Sequence, residues 1–237
     1  MKFFRVFLLI LRLVYYFLNI FKIMLGVFFV EELQYKQEIT IKRKGNYYSI
    51  FKRGFDIVFS LVLLIISSPI LLVSLLIVFL QDFKNPLFSQ ERVGVGNKEY
   101  KMYKVRSMVY NAEKNGAQWA KENDSRITTF GRFIRKTRID ELPQLWNVLN
   151  GEMSLIGPRP EREVFYKKFE RGIPNFRDRL KVKPGLAGWA QVNGGYNITP
   201  KEKLELDLYY IENLSFKLEV EIFFRTIKVV LTGDGAR

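Results

Sequence analysis

Residues 55–80 read FDIVFSLVLLIISSPILLVSLLIVFL, and the Ser67-Ser68-Pro69 step at their centre decides how the chain meets a membrane. The stretch is long enough to cross a bilayer, which takes about 20 apolar residues. Pro69 lacks an N–H and its ring clashes with the carbonyl of Ile65, so a helix here is kinked. The serine hydroxyls can satisfy the backbone groups that a kink frees in lipid. The flanks are basic on both sides, with five Lys/Arg in residues 40–54 and six in residues 81–106. A spanning helix normally shows charge asymmetry. Two readings stay open on these grounds: a Pro-kinked spanning helix, or a broken helix that enters and leaves the same leaflet.

Upstream, residues 3–25 form a second apolar stretch of spanning length, interrupted by Arg5, Arg12, Asn19 and Lys22. Arg12, near its centre, costs about 3 kcal/mol. The ~17 strongly apolar residues return about 0.3–0.6 kcal/mol each, so insertion is favoured. The face shared by Arg5, Arg12 and Asn19 also carries Leu8, Tyr15 and Tyr16, so it lacks the strong polarity of a helix lying flat. The expectation is a spanning helix within residues 1–30. A signal peptide is not expected, because the apolar run is too long and no small-residue cleavage site follows. Lys2 and Arg5 precede the helix; Lys36, Lys42, Arg43, Lys44, Lys52 and Arg53 follow it before Gly54. The positive-inside rule then puts the C-terminal side in the cytoplasm.

The remaining stretch, residues 81–237, is polar and mixed, and long enough for a real core. The 237 residues carry 38 Lys+Arg against 24 Asp+Glu, a formal charge of +14. Such a balance suits nucleic acid, anionic lipid or phosphorylated substrates. No nucleic-acid partner is expected, since the cations are scattered and form no stripe with interleaved aromatics. The chain has no His and no Cys. Any chemistry therefore falls to carboxylates, Lys, Arg or hydroxyls, and disulfides and thiolate metal sites are excluded.

Two carboxylates stand out. Asp140-Glu141 follows the basic run Arg132, Arg135, Lys136, Arg138 and precedes Leu142-Pro143-Gln144-Leu145. Residues 130–137 read as a basic helix. Pro143 suits the first turn of the next one, whose apolar side is Leu145, Trp146 and Leu149. The pair thus lies at or just before a helix N-terminus, where negative charge and phosphates are favoured. Carboxylates there are expected to stay ionised, which suits a nucleophile or a metal ligand better than a general acid. Guanidinium groups around carboxylates suit a site that handles phosphate with a divalent metal.

Residues 87–107 read as a β-hairpin turning at Gly94-Val95-Gly96-Asn97; position 99 is Glu, so this is no dinucleotide fingerprint. Residues 111–121 read as a short helix or loop, and 124–131 as a loop. Residues 151–160 read as a short strand entering the stiff turn Gly157-Pro158-Arg159-Pro160, which holds an Arg as bidentate phosphate recognition requires. Residues 183–195 read as a glycine-rich loop with Trp189 and the amides of Gln191 and Asn193. Two amphipathic helices close the chain. Leu204, Leu208 and Ile211 share one face of the first; Phe223, Ile227 and Val230 share one face of the second. Core packing is the expectation for both, with a membrane-surface helix as the alternative.

Several of these segments together resemble the bacterial sugar transferase family, the monotopic phosphoglycosyl transferases. They are Lys52-Arg53-Gly54-Phe55-Asp56, Ser68-Pro69, Lys104-Val105-Arg106-Ser107-Met108, Asp140 to Leu145, Gly157 to Pro160 and Pro184 to Gly194. The likeness covers about residues 50 to 237. It implies transfer of a sugar-1-phosphate from a UDP-sugar donor to a polyprenyl (undecaprenyl) phosphate acceptor, opening exopolysaccharide or glycoconjugate synthesis. It implies Asp140 as the nucleophile of a covalent phosphosugar intermediate, and Mg²⁺ as cofactor, held by Glu141 with Asp140. It implies Arg135, Arg159 and Lys104 as phosphate contacts, with Gln191 in the substrate-binding set. The fold implied is α+β and mostly helical, membrane-associated, with a Ser-Pro-broken re-entrant helix and a small hairpin. The domains are then an N-terminal hydrophobic helix (1–30), a basic linker (31–54), the re-entrant helix (55–80) and a cytoplasmic catalytic domain (81–237) at the inner membrane. A homo-oligomer is compatible with this. The chain departs from many members at Val105, where they carry Phe, and at Gly195, where they carry Arg, so Gly195 is assigned no substrate contact. Two other readings remain: a non-catalytic basic membrane-anchored module, and one-step transfer with both carboxylates on metal.

Overall fold

The computed structural model describes residues 46–114, 116, 124–194 and 198–232. The expected helix at 1–30, most of the expected linker, the segment 117–123 and Gly195 lie outside them. The described chain is mostly helical with two small sheets, α+β as expected. Helix α1 is Asn46–Asp82, followed by the hairpin strands β1 (Leu87–Val93) and β2 (Glu99–Val105). Helix α2 is Thr129–Lys136, a 3-10 turn covers Ile139–Glu141, and α3 is Gln144–Leu149. Strand β3 (Ser154–Ile156), α4 (Glu163–Phe169), a 3-10 helix (Phe176–Lys181) and β4 (Gly185–Ala187) follow. Helices α5 (Trp189–Gly194), α6 (Pro200–Glu212) and α7 (Phe216–Thr232) complete the fold.

Helix α1 begins at Asn46, inside the stretch read as linker, and keeps Pro69 within it. At 37 residues it is about 55 Å long if straight. It is the one helix among the described residues long and apolar enough to cross a membrane. The serines act as anticipated. Ser68 Oγ donates to Ile65 O at 2.8 Å, the carbonyl that Pro69 cannot serve, and Ser67 Oγ donates to Leu63 O at 2.6 Å. Its middle, residues 61–73, buries no side chain, and Ile66 is 68% exposed. Its two ends are docked. Near the start, Arg53 caps the end of α3 through Val148 O (2.6 Å) and Leu149 O (2.9 Å). Asp56 accepts from Ser154 Oγ (2.7 Å) and Leu155 N (3.2 Å), and Lys52 pairs with Glu219 (2.6 Å). These bonds explain the early start, since the basic residues are the docking face of the helix. Near its end, Leu75, Val78 and Phe79 are buried, and Arg106 grips Asp82 with both Nη atoms.

The hairpin register pairs Leu87 with Val105 and Val93 with Glu99, and Gly96 and Asn97 take positive φ (63° and 64°) in the turn. The glycine-rich segment differs from its reading as a loop. It forms β4, parallel to β3, and then α5. Its glycines serve close approach: a Cβ on Gly185 would lie 2.1 Å from Gly157 N, and one on Gly188 would lie 2.4 Å from Gly157 O. Composition alone cannot distinguish a glycine that turns the chain from one that lets two backbones touch.

The main core joins Met102, Leu145, Val148, Met153, Leu155 and Ile156 to Tyr210, Ile211, Leu218 and Ile222, with Phe59 and Leu63 of α1 packed against it. A second cluster holds Val93, Tyr166, Phe176, Leu180 and Leu204. Helix α6 opens on a capping box, Thr199 with Glu202, and buries Leu204 and Ile211 as expected. Helix α7 is corrected in detail. Its core face is Leu218, Ile222 and Phe223, whereas Ile227 and Val230 are exposed, because the core ends before its last turns.

Candidate active site

The acidic pair is set by its entry and exit. Thr128 caps α2 by accepting from Gly131 N at 2.9 Å, and α2 lies so close to the chain leaving β2 that a Cβ on Gly131 would meet Ser107 O at 1.8 Å. Arg138 then takes a left-handed conformation (φ 59°), which ends the helix and starts the 3-10 turn that holds Asp140 and Glu141. Pro143 follows as the N-cap of α3. Both carboxylates are buried, 6% and 8% exposed.

Cations reach them from three elements. Lys104 Nζ of β2 is 3.1 Å from Glu141 Oε1 and 3.9 Å from Asp140 Oδ2. Arg159, in the turn after β3, places Nη2 2.5 Å from Glu141 Oε1, and Arg138 Nη1 lies 4.0 Å from the same oxygen. Arg135 approaches Ser107 Oγ at 3.4 Å, and its charge acts on Asp140. The predicted site residues Lys104, Arg135, Asp140, Glu141 and Arg159 thus form one constellation. Gln191 Nε2 donates to Leu186 O of β4 at 3.1 Å, and its Oε1 is buried without a hydrogen-bond partner among the described residues.

The two carboxylates are electrostatically unlike. Burial pushes Glu141 up, but the Arg159, Lys104 and Arg138 charges outweigh it and hold its carboxyl well below the usual range. Burial pushes Asp140 up, and Glu141 adds to this; Lys104, Arg135 and Arg159 only partly compensate. The expected ionising influence of a helix N-terminus therefore loses to desolvation at Asp140. Its ion-pair partner Lys104 stands beyond hydrogen-bond reach. Of the two carboxylates, Asp140 is thus the one that Lys104 does not hydrogen-bond.

Among the described residues, no three His, Cys, Asp or Glu side chains are grouped to hold a metal. Two adjacent carboxylates still fit Mg²⁺, which usually takes one or two carboxylates and completes its shell with water and substrate phosphates.

Sequence reasoning missed the support behind Arg159. Arg179 and Asp207 form a buried ion pair (2.5 Å), and Glu161 joins Arg92 and Lys203. The signal was available in Asp207, which falls beside Leu204 and Ile211 in helical projection and so faces the core.

The match to the family model described as bacterial sugar transferase covers residues 47–233. Among curated proteins, the chain is 47% identical over 193 residues to the UDP-N-acetylgalactosamine-undecaprenyl-phosphate N-acetylgalactosaminephosphotransferase of Aeromonas hydrophila, covering 80% of this chain and 46% of that protein. It is 40% identical over 215 residues to the undecaprenyl-phosphate galactose phosphotransferase of Salmonella typhimurium, covering 84% and 44%. It is 39% identical over 186 residues to an uncharacterized sugar transferase of Bacillus subtilis, covering 78% and 90%. The match spans about half the length of the first two relatives and nearly all of the third. On the family match and these likenesses, the chain belongs to the bacterial sugar transferase family.

Proposed function

We propose that this chain is a phosphoglycosyl transferase that moves a sugar-1-phosphate from a UDP-sugar to undecaprenyl phosphate, the first membrane step of an exopolysaccharide or glycoconjugate pathway. The observation that carries the reading is the buried Asp140–Glu141 pair with Lys104, Arg135 and Arg159 converging on it, in a turn packed against the apolar helix α1. An Asp140 oxygen attacks the sugar-side phosphorus of the donor. The bond from that phosphorus to the bridging oxygen breaks, and its electron pair leaves with UMP. An oxygen of the lipid phosphate then attacks the same phosphorus and the Asp140 carboxylate departs. Arg159, Arg135 and Lys104 offset phosphate charge through both steps. Mg²⁺ bound with the diphosphate at Asp140 and Glu141 would supply further neutralisation of the phosphoryl oxygens. Burial of the pair keeps water from a phospho-carboxylate that would otherwise hydrolyse.

A re-entrant α1 is part of the proposal. Both ends of α1 bind the same globular unit, through Asp56 to Ser154 and through Asp82 to Arg106. A straight helix would separate those two positions by about 39 Å, more than the ~30 Å bilayer core. A membrane between them would strand one set of partners, which supports a helix whose bare middle dips into one leaflet. The proposed place is the bacterial inner membrane, with residues 81–237 facing the cytoplasm and residues 1–30 as a further anchor.

The test is UMP release by the purified chain with Mg²⁺, from UDP-N-acetylgalactosamine, UDP-galactose and UDP-glucose, with and without undecaprenyl phosphate. The similar proteins are named for different sugars, so the panel assigns the donor. Lipid-dependent release that vanishes in Asp140→Ala is the expected result, and undiminished transfer by that variant would sink the reading. Label retained on the protein from a donor carrying ³²P in its sugar-side phosphate, with lipid omitted, separates the two-step route from direct transfer.

A further inference from the structure

We infer that the buried ion pairs behind the Arg159 turn are a positioning device for that arginine, with Arg179 as the principal positioning residue. The inference rests on the proposed transferase reading, in which Arg159 contacts phosphate.

The turn Pro158-Arg159-Pro160-Glu161 has every one of its four carbonyls engaged. Gly185 N donates to Pro158 O (2.9 Å), Arg179 Nη2 to Arg159 O (2.9 Å), Arg92 Nη1 to Pro160 O (2.9 Å) and Val93 N to Glu161 O (3.0 Å). Two of the four donors are guanidinium groups, and each is anchored by a carboxylate. Arg179 pairs with Asp207, and Arg92 pairs with Glu161, which also takes Lys203. Lys203 and Asp207 stand one helical turn apart on α6, so a single helix face holds both sets. Pro160 restricts Arg159 further, since a residue before proline is confined to extended conformations. The side chain of Arg159 is then aimed at Glu141 by a backbone with little freedom left.

Stability alone is a poor reason for this construction. The Arg179 and Asp207 side chains are 0% and 1% exposed, and well-packed apolar residues in place of a buried pair are often neutral or stabilising. Arg179 also leaves Nε and Nη1 buried without a hydrogen-bond partner, a costly arrangement. An apolar side chain could fill the same volume, but it could not donate to the Arg159 carbonyl.

The experiment is a mutant cycle in the full chain. Arg179→Met with Asp207→Leu is combined with Arg159→Ala, and UMP release and UMP affinity are measured for each. In the Arg159 background the replaced pair should lower kcat about ten- to a hundredfold and raise the donor KM severalfold, as misplacement of a phosphate clamp does. With Ala at 159, the same replacement should change kcat and KM less than about threefold, because the residue it positions is gone. Equal losses in both backgrounds, or a lower kcat with an unchanged donor KM, would overturn the inference and leave a structural role. Should the replaced pair not fold, Arg92→Gln, at a side chain less buried than Arg179, carries the same cycle, with a loss of about three- to tenfold that must vanish in Arg159→Ala. Absence of transfer in the unaltered chain would count against the proposed activity. The positioning role is then judged by the same cycle on UMP affinity, with the same two outcomes.

Discussion

Two groups of buried charge flank the Arg159 turn, and they differ in how their anions are held. Behind the turn, Asp207 meets Arg179 and Glu161 meets Lys203 and Arg92, and the two arginines also bind backbone carbonyls. In front of it, Glu141 collects Arg159, Lys104 and Arg138, while the ion-pair partner of Asp140 among the described residues is Lys104, at 3.9 Å. Burial disfavours the charge of Asp207 as it does that of Asp140, but Asp207 has Arg179 in direct contact. Asp140 keeps its disfavoured charge with Lys104 no closer than 3.9 Å. Strain of this kind is what a reactive group retains when surrounding structure over-determines its position. The contrast gives each cluster a different expected response to mutation.

The largest effect on activity is expected at the front. Asp140→Asn should lower transfer by about 10⁴-fold or more, since the nucleophile is lost. The same change removes a charge that burial opposes, so the variant should unfold at an equal or higher temperature, by about 1 kcal/mol of added stability. A marked fall in its melting temperature would erase the contrast. The largest effect on stability belongs to the rear. Arg179→Ala leaves Asp207 buried without its ion-pair partner, at a cost of about 3–5 kcal/mol in thermal or denaturant unfolding. Paired replacement of both residues should restore most of that loss.

Acid sharpens the difference. Burial opposes the charge of Glu161, but Lys203, Arg92 and Arg179 outweigh it and bring its carboxyl to about 2. Its folded value lies below the unfolded one, so its stabilisation is present above about pH 4.3 and is lost as pH falls toward 2. Asp140 has the opposite sign, because its raised value means that protonation on acidification relieves an unfavourable charge. Melting temperature followed from pH 6 to 2 should therefore drop less steeply in Glu161→Gln than in the unaltered chain, and more steeply in Asp140→Asn. The smallest effect lies in α1. Ser68→Ala frees Ile65 O and should cost about 1 kcal/mol, read as a lower melting temperature in detergent with transfer retained.

Much of the front cluster was legible from local order alone. Asp140-Glu141 is flagged by a basic run before it and a proline after it, and Arg159 by the two prolines beside it. The serine bonds around Pro69 follow from covalent chemistry, since a missing N–H leaves one particular carbonyl to satisfy. Lys104 hydrogen-bonds Glu141 and lies within ion-pair range of Asp140, which no spacing along the chain could rank above other lysines. The contact that Gln191 Nε2 makes with Leu186 O was not legible in the sequence either, since it depends on how the chain folds back on β4.

By itself the sequence determined the elements whose causes are local. These are the long apolar helix and its proline, the hairpin turn, the amphipathic helix that carries Leu204 and Ile211, and the acidic pair with its basic prelude. The tertiary structure alone decided which distant groups meet. Gly157 and Gly185 let two strands touch, Arg53 and Arg106 dock opposite ends of α1, and Arg179 with Asp207 sets the turn that aims Arg159. Backbone propensity, periodicity and capping act over a few residues, so they can be read in one dimension. Ion pairs and close backbone contacts depend on separation in space, which exists only once the chain has folded.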